Sequence, residues 1–240
     1  MVDAVGLGVT LFEPGDEVFG MLPYPHGVGA HAEFATGPAR ASALKPESLD
    51  HVLAGALPLA SLTAYQAIVD TARLRGGQRA LIHAATGGVG HLAVQIAKAR
   101  GAHVAATTLG DHEEFVRGLG ADAVIDNTAT DFAAVAGEMD FVLDLVGGPV
   151  RAGSMALLRP GGTMVTTVPT PILGAEGSAG RVRMIAVQSD HAGMRAIADL
   201  AGTGALVPRV AATFPLSRAA EAHALRERGD MIGKVVLVAD

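Results

Sequence analysis

The sequence contains no cysteine among its 240 residues. Disulfide bonds, a thiolate nucleophile and a zinc site built from cysteine are therefore excluded. It also lacks any uninterrupted apolar stretch that approaches the roughly 20 residues required by a membrane-spanning helix. The first residues do not show the basic-then-apolar order of a signal peptide, so a cytoplasmic location is the default expectation.

Basic residues are in the minority. The chain has 18 Lys and Arg against 24 Asp and Glu, which gives a net charge of -6. Nucleic acid and anionic membranes are disfavoured as partners, because both select for an excess of basic residues. A small-molecule substrate is the expected partner.

The residues that are present suit a compact α/β protein. Hydrophobic residues make up 50% of the chain and charged residues 18%, which is ordinary for a globular domain. Turn residues at Pro14-Gly15-Asp16 and strand-like residues through Ala30–Thr36 predict that about the first fifty residues are β. From about Leu49 the pattern becomes helical, and a helix is predicted from Ser61 to about Thr71.

Short strands and amphipathic helices alternate from Gln78 onward. This alternation predicts right-handed βαβ crossovers and a parallel sheet, and six such strands fit a doubly wound Rossmann fold. The predicted strands are Ala80–His83, His103–Thr107, Ala123–Ile125, Phe141–Asp144, Thr163–Val168 and Arg181–Val187. The predicted helices are Val89–Arg100, Glu113–Gly118, Thr130–Glu138 and Pro149–Leu158. The C-terminal segment is predicted as helix His191–Ala201, strand Val207–Thr213, helix Ser217–Arg228 and strand Lys234–Val238.

A glycine-rich loop runs from His83 to Gly90, between the first strand of this predicted sheet and its first helix. Dinucleotide loops need a small residue at the tight turn, bare backbone at the pyrophosphate, and glycine or alanine where the helix packs on the strand. Ala85, Gly87 and Gly90 stand at those three positions. A glycine cluster alone fits a packing turn equally well, but its place at the start of a βαβαβ unit favours dinucleotide binding. A P-loop is excluded, because His91 stands where a lysine would follow the last glycine.

The end of the second strand bears on the choice between NAD and NADP. NAD enzymes place an acidic residue there for the ribose hydroxyls, whereas this strand ends Ala105-Ala106-Thr107-Thr108. The missing acid favours NADP, although Asp111 is close enough in sequence to reach a ribose. The nearest basic residues are His112 and Arg117, so the cation that NADP requires is not obvious.

Six motifs in order resemble those of the medium-chain dehydrogenase/reductase superfamily, in its zinc-free quinone oxidoreductase and enoyl reductase branch. The resemblance covers the whole chain. The motifs are Gly8–Gly20, which contains Pro-Gly-Asp-Glu-Val-Phe-Gly, and Ala56–Tyr65, His83–Gly90, Leu119–Asp122, Leu158–Gly162 and Gly233–Leu237.

The resemblance implies a two-domain enzyme that transfers a hydride from NADPH to a quinone or an α,β-unsaturated carbonyl. A partial GroES-like catalytic domain would comprise residues 1–62 and 191–240, with the Rossmann domain at 63–190. It also implies a homodimer through the last Rossmann strand, near Arg181–Gln188. The residues it assigns to the cofactor are Thr63, Ala85, Thr86, Gly87, Gly88, Val89, Gly90, Thr108, His112, Asn127, Leu145, Val146, Gly147, Thr166, Thr167 and Val168.

Three departures from the family pattern affect these expectations. Thr108, His112 and Asn127 stand where relatives carry Ser or Gly, Lys and Tyr around the 2′-phosphate. Because imidazole is charged only when protonated, a preference for NADPH is expected to weaken above about pH 6.5. The region after Gly20 has no cysteine, which fits a branch without structural zinc. Relatives also begin several dozen residues earlier, so the chain is expected to be N-terminally truncated, through evolution, a misassigned start codon or the expressed boundaries.

Other polar residues are weaker candidates. His83, at a strand end, is interpreted as a packed residue that shapes the loop and not as an acid or ligand. Asp144 is interpreted as a residue that satisfies backbone groups near the cofactor. Tyr24 or His26 could donate a proton to a carbonyl oxygen, but exposed rings in a proline-rich loop are the simpler interpretation. No residue is identified as the proton donor, and the nine histidines show no spacing typical of a catalytic metal site.

Two functions from different classes remain open. The first is an NADP-dependent, zinc-independent oxidoreductase in which the protein orients cofactor and substrate and excludes water. The second is a subunit that binds a dinucleotide without turnover, because missing strands would leave the substrate pocket incomplete.

Overall fold

A computed structural model describes residues 1–23, 29–110, 112–169, 180–229 and 231–239. The chain divides into two compact units, one formed by Met1–Thr63 with Val187–Asp240 and one by Ala64–Ala186. We call them unit 1 and unit 2. The strands are β1 Val18–Gly20, β2 Ser42–Leu44, β3 Arg79–Ile82, β4 His103–Thr108, β5 Ala123–Asp126, β6 Met139–Asp144, β7 Leu158–Thr166, β8 Arg181–Met184, β9 Val210–Pro215 and β10 Lys234–Val238.

Eight α-helices accompany these strands in the described residues. They are α1 His51–Ala56, α2 Pro58–Tyr65, α3 Gly90–Ala99, α4 Glu113–Gly118, α5 Phe132–Val135, α6 Gly148–Met155, α7 His191–Gly202 and α8 Ala219–Glu227. Helix α2 continues directly into a π-helical turn at Gln66–Thr71, so the predicted end of this helical segment near Thr71 is confirmed. No helix in the described ranges is both long and apolar enough to cross a membrane.

Unit 2 is built on a parallel sheet of six strands. Their spatial order is β5-β4-β3-β6-β7-β8, and each neighbouring pair is parallel. The chain moves outward from β3 through β4 to β5 and then returns to place β6 on the other side of β3. This is the predicted doubly wound Rossmann topology, and its switch point lies between β3 and β6. Ligands of such sheets bind beyond the carboxyl ends of the strands, at the switch point.

The central strands are apolar because helices cover both faces of the sheet. Leu81 and Ile82 of β3 and Val142 and Leu143 of β6 are fully buried. Helix α3 is equally enclosed, since all of its residues from 90 to 97 are buried. It ends where Gly101 adopts a positive φ of 77°, a backbone conformation that favours glycine after a helix. The site at the switch point therefore rests on rigid, well-packed elements.

Unit 1 is formed from both ends of the chain. Strands β1 and β2 pair antiparallel, and β9 pairs parallel with β10. The N-terminal and C-terminal segments meet where His191 Nδ1 lies 2.7 Å from the carbonyl oxygen of Ser42. Asp190 caps α7 by accepting from the backbone N–H groups of Ala192 and Gly193. The assignment of these segments to a catalytic domain with boundaries at 62 and 191 stays a prediction.

The strand predicted at Ala30–Thr36 is wrong. The described residues 29–38 contain no strand, and residues 29–37 are exposed. A β-pattern produces a strand only when a neighbouring strand accepts its backbone hydrogen bonds, and no such pairing forms here. Among the described residues of the first fifty, strand structure is thus limited to β1 and β2, each of three residues. The helix predicted at Thr130–Glu138 is likewise shortened to α5, and β8 ends at Met184 instead of Val187.

Candidate functional site

The loop between β3 and α3 lies at the switch point of the sheet. Its Ala85 N–H donates to the carbonyl oxygen of Thr107 at 2.9 Å, which ties the loop to the end of β4. Its Gly87 N–H donates to the carbonyl oxygen of Ala84 at 2.9 Å, which closes a tight turn. Ala84 has a positive φ of 51°, which is uncommon for a residue other than glycine. The loop is therefore sharply folded where the dinucleotide pattern predicts a tight turn.

Gly90 is the residue on which this packing depends most. A Cβ atom on Gly90 would lie 2.8 Å from the carbonyl carbon of Ala84 and 2.9 Å from Cα of Ala85, and closer still to the Ala84 oxygen. These neighbours are backbone atoms that cannot rotate away. Gly87 is less restricted, because its Cβ would lie 3.2 Å from the same oxygen. Close packing of the helix start on the segment after β3 is what the dinucleotide pattern requires of its third glycine, and the binding of a cofactor at Gly90 stays a prediction.

The ends of β4 and β5 bring together two of the residues predicted for the 2′-phosphate. The Asn127 N–H donates to the carbonyl oxygen of Thr108 at 3.0 Å. The Oδ1 atom of Asn127 is buried without a hydrogen-bond partner. The third predicted residue, His112, acts electrostatically on Asp126, the last residue of β5. Asp111, the acid that might reach a ribose, lies outside the described residues.

Asp126 is a residue of this region that the sequence pattern did not single out. Its Oδ1 atom accepts from the Gly110 N–H at 2.9 Å and from the Thr128 N–H at 2.8 Å. Hydrogen bonds from Thr128, followed by that from Gly110 and the charge of His112, hold the pKa of this exposed carboxyl below its usual value despite some desolvation. An ionised carboxylate therefore stands beside the residues expected to face a phosphate.

A buried ion pair joins the ends of β6 and β7. Asp144, the last residue of β6, is 0% exposed, and the Arg151 side chain on α6 is 3% exposed. The Arg151 Nε atom donates to Asp144 Oδ2 at 2.6 Å. The Arg151 Nη2 atom donates to Thr166 Oγ1 at 2.8 Å and to the carbonyl oxygen of Val168 at 2.9 Å. One guanidinium group thus binds the carboxyl ends of two adjacent strands.

The same carboxylate organises the loop after β6. Asp144 Oδ1 accepts from the N–H groups of Val146 at 3.0 Å and Gly147 at 2.7 Å. Its predicted role of satisfying backbone groups is confirmed. Burial by itself would raise the pKa of Asp144, but the hydrogen bond from Arg151 and those from neighbouring groups outweigh burial and hold the pKa below its usual value. The carboxylate therefore stays ionised at neutral pH and is not suited to act as a base.

Arg151 is absent from the residues predicted for the site. It is a single arginine on a short helix, and the sequence pattern alone indicates an ordinary solvent-exposed charge. Its partner is identifiable only once the topology places the start of α6 beside the ends of β6 and β7.

His83 is fully buried at the end of β3 and hydrogen-bonded on both ring nitrogens. Nδ1 lies 3.0 Å from Thr107 Oγ1, and Nε2 lies 2.7 Å from Ser154 Oγ. Ser154 donates its single hydroxyl proton to the carbonyl oxygen of Val150, so Nε2 must carry a proton and Nδ1 must accept one from Thr107. The ring also meets the Phe132 ring edge-on at 4.8 Å. The prediction of a packed histidine is confirmed, and its role in shaping the loop stays a prediction.

Burial also makes His83 a pH-dependent element of stability. Desolvation lowers the pKa of His83 from 6.5 to about 4, although the Asp144 charge acts in the opposite direction. The unfolded chain therefore takes up a proton at this histidine at a higher pH than the folded chain does. The contribution of the neutral His83 side chain to the free energy of unfolding is complete above about pH 6.5 and is lost as the pH falls toward about 4. The slope of this loss is up to ~1.4 kcal/mol per pH unit.

Substitution of His83 by glutamine should flatten that slope. Urea unfolding of the wild type and His83→Gln should run parallel between pH 7 and 8, where the histidine is neutral in both states. Between pH 6 and 4.5 the wild type should lose more stability than the variant. Equal losses in the two proteins over that range would contradict the assigned role.

The remaining predicted residues lie in different parts of the structure. Those at the ends of β6 and β7 are bound by the side chains of Asp144 and Arg151 or are adjacent in sequence to residues that are, and they are Leu145, Val146, Gly147, Thr166, Thr167 and Val168. Thr63 belongs to unit 1, where its hydroxyl donates to the carbonyl oxygen of Leu59 at 2.7 Å. Tyr24 and His26, the possible proton donors, lie outside the described residues. Within the described ranges, no group of three or more His, Asp or Glu residues could hold a metal ion.

Comparisons with known proteins relate the chain to oxidoreductases. A family model described as zinc-binding dehydrogenase matches residues 119–237. The mitochondrial NAD(P)H oxidoreductase RTN4IP1 of Mus musculus is 36% identical, over 97% of this chain and 66% of its own length. The chain thus spans just under two thirds of that relative.

Two solved structures share the architecture. A quinone oxidoreductase from Coxiella burnetii superposes with a TM-score of 0.89 at 33% identity, over 98% of this chain and 76% of that one. The CurK enoyl reductase superposes with a TM-score of 0.83 at 27% identity, over 99% of this chain and 76% of that one.

Proposed function

The chain belongs to the medium-chain dehydrogenase/reductase superfamily, and from that premise we propose that it transfers a hydride from NADPH to a quinone or an α,β-unsaturated carbonyl without zinc. The single observation that carries the proposal is the loop from Ala85 to Gly90 at the switch point of the sheet. Its backbone leaves no room for a side chain at Gly90, which is the feature that a dinucleotide loop requires.

The residues of unit 2 fit such a cofactor. The loop and the first turn of α3 would hold the pyrophosphate, because N–H groups at a helix start attract phosphate. The ends of β4 and β5, with Thr108 and Asn127, would face the adenosine ribose. The loop after β6 and the end of β7 would hold the nicotinamide half. The orphaned Oδ1 atom of Asn127 is an acceptor that a ribose hydroxyl could satisfy.

Bound NADPH would supply a hydride, a hydrogen nucleus with two electrons, to a ring carbon or β-carbon of the substrate, and one proton from water would complete the reduction. The described residues contribute by fixing the backbone around the nicotinamide half, with Asp144 holding two N–H groups and Arg151 holding a carbonyl oxygen. The protein thus acts by orientation and by exclusion of water.

The preference for NADPH over NADH depends on the balance of charge at the ends of β4 and β5. At pH 6, where an ordinary imidazole is protonated, His112→Ala should lower the ratio of NADPH to NADH affinity, because it removes the cation proposed for the 2′-phosphate. Asp126→Asn should raise that ratio, because it removes a negative charge and keeps an acceptor for Gly110 and Thr128. Titration of both cofactors into the three proteins tests this. An unchanged ratio in His112→Ala would reject the phosphate assignment.

The proposal that the reaction needs no zinc rests on the sequence, which contains no cysteine to serve as a zinc ligand. Exhaustive treatment with a chelator should leave NADPH oxidation unchanged. Loss of activity that returns on addition of Zn²⁺ would contradict this part of the proposal. The homodimer through β8 and the cytoplasmic location remain predictions.

The decisive test of the function is oxidation of NADPH by the purified chain in the presence of a test quinone or enone. The proposal expects turnover that requires both partners. Binding of NADPH without its oxidation would favour the alternative of a dinucleotide-binding subunit.

A further inference from the structure

We propose that Arg151 is a positioning residue that sets the geometry of the nicotinamide half of the cofactor site by holding the ends of β6 and β7 in fixed register. The inference rests on the proposed function, since it concerns the same site. Arg151 would touch neither cofactor nor substrate, because its side chain is 3% exposed.

The side chain of Arg151 connects several separate backbone segments. Its Nε atom binds the carboxylate of Asp144, which in turn accepts the N–H groups of Val146 and Gly147. Its Nη2 atom binds the carbonyl oxygen of Val168 beyond the end of β7. The loop after β6 and the segment after β7 are therefore linked through a single planar group.

Thr166 completes the network formed by Arg151, Asp144 and Val168. The Thr166 hydroxyl oxygen accepts from Arg151 Nη2 at 2.8 Å and from the Val168 N–H at 3.1 Å. Its proton is directed to the Asp144 carboxylate, which it helps to keep ionised. Both backbone polar groups of Val168 are thus bound within the network, one by Arg151 and one by Thr166. The backbone of Val168 is therefore held by side chains, whereas the preceding residue, Thr167, still donates its N–H to the carbonyl oxygen of Asp144 at 3.3 Å.

The Arg151 network lies on one side of the candidate site. Asp144 and Thr166 lie side by side in the register of β6 and β7, on the side of the switch point away from β4 and β5. The adenosine side relies on other contacts, those of Asp126, Asn127 and Thr108. Loosening of the Arg151 network should therefore affect one half of a bound dinucleotide and spare the other.

The test compares two ligands on the variant Arg151→Lys. Lysine keeps the charge beside Asp144, but it is a point donor without the planar fork that reaches three partners. We expect the affinity for 2′,5′-ADP, which carries only the adenosine half, to stay within about twofold. We expect the affinity for NADPH to fall about tenfold and the hydride-transfer rate to fall by at least as much, because small misplacements of reacting groups are costly.

Two further variants make the result interpretable. Arg195→Lys changes an exposed arginine of α7 and should match the wild type with both ligands. Thr166 is itself 0% exposed, so its hydroxyl acts on the site only through the Arg151 network. Thr166→Val keeps the shape of the side chain and removes that hydroxyl, so it should reproduce the selective loss even if Arg151→Lys fails to fold.

The outcomes separate the inference from the proposed function. Equal losses for 2′,5′-ADP and NADPH in the folded variants, or no loss for either, would overturn the positioning role. Wild-type chain that binds neither ligand would overturn the proposed function and this inference with it. Selective loss of NADPH affinity in Arg151→Lys or Thr166→Val, with Arg195→Lys unchanged, is the supporting result.

Discussion

Gly90→Ala should eliminate measurable dinucleotide binding and lower the free energy of unfolding by ~3 kcal/mol, the upper end of the usual penalty for overpacking. The added methyl group would lie 2.8 Å from the carbonyl carbon of Ala84 and 2.9 Å from Cα of Ala85. Both are backbone atoms of the loop itself, so the strain is relieved only if the loop moves away from α3. That movement would displace the N–H groups expected to bind the pyrophosphate.

The matched control is Gly118→Ala, at the exposed end of α4. A Cβ atom on Gly118 meets nothing within 4 Å, and alanine is the better helix former. Its free energy of unfolding should change by less than ~1 kcal/mol and its affinity for NADPH should not change. Urea unfolding and calorimetric titration measure both quantities. A Gly90→Ala protein with wild-type stability and affinity would show that the loop does not have the assigned geometry.

Arg151→Leu should lower the free energy of unfolding at pH 7 by ~3–5 kcal/mol, the cost of removing one partner from a buried ion pair. The substitution leaves the Asp144 carboxylate 0% exposed with its charge uncompensated. It also removes the donors to Thr166 and to the carbonyl oxygen of Val168. The exposed control Arg195→Leu should change stability by less than ~0.5 kcal/mol.

The pH dependence of this loss has a definite sign. In the wild type the pKa of Asp144 lies below its usual value of 3.8. The ionised carboxylate therefore contributes to the free energy of unfolding above pH 3.8, and this contribution is lost as the pH falls further. In Arg151→Leu, burial without the guanidinium raises the pKa of Asp144, and protonation relieves the buried charge. The difference in stability between the two proteins should therefore narrow as the pH falls from 7 toward 4.5.

The double variant Asp144→Asn, Arg151→Leu supplies an independent check. Asparagine can still accept from the N–H groups of Val146 and Gly147 but carries no charge. It should recover a substantial part of the stability lost in Arg151→Leu. If the double variant is less stable than Arg151→Leu at pH 7, the uncompensated charge is not the origin of the loss.

Elements with strong local signals could be predicted from the sequence. The bounds of α4 and β10 agree residue for residue with the prediction, because each has a clear period and a glycine nearby that ends or precedes it. The Rossmann topology also follows from the alternation of strands and helices, because right-handed crossovers leave few arrangements. Gly90 was identified for the same reason, since its place between strand and helix defines its role.

Features that depend on distant residues could not be predicted in this way. The β-pattern at Ala30–Thr36 has no partner strand, and the residues adopt no strand. Arg151 and Asp126 look like ordinary surface charges in the sequence, yet one is fully enclosed and the other organises the loop at Gly110. Their roles arise only where the sheet brings the ends of separate strands together.

The central claim is that this chain passes a hydride from a nicotinamide cofactor held on the unit 2 loop to an activated double bond or quinone. The most direct measurement uses NADPH deuterated at the transferring position of C4, a test enone, and mass spectrometry of the product. The account predicts one deuterium at the β-carbon of the product from the wild type and from Gly118→Ala, and none from Gly90→Ala. Bound NADPH without labelled product, or labelled product from Gly90→Ala at the wild-type rate, would contradict it.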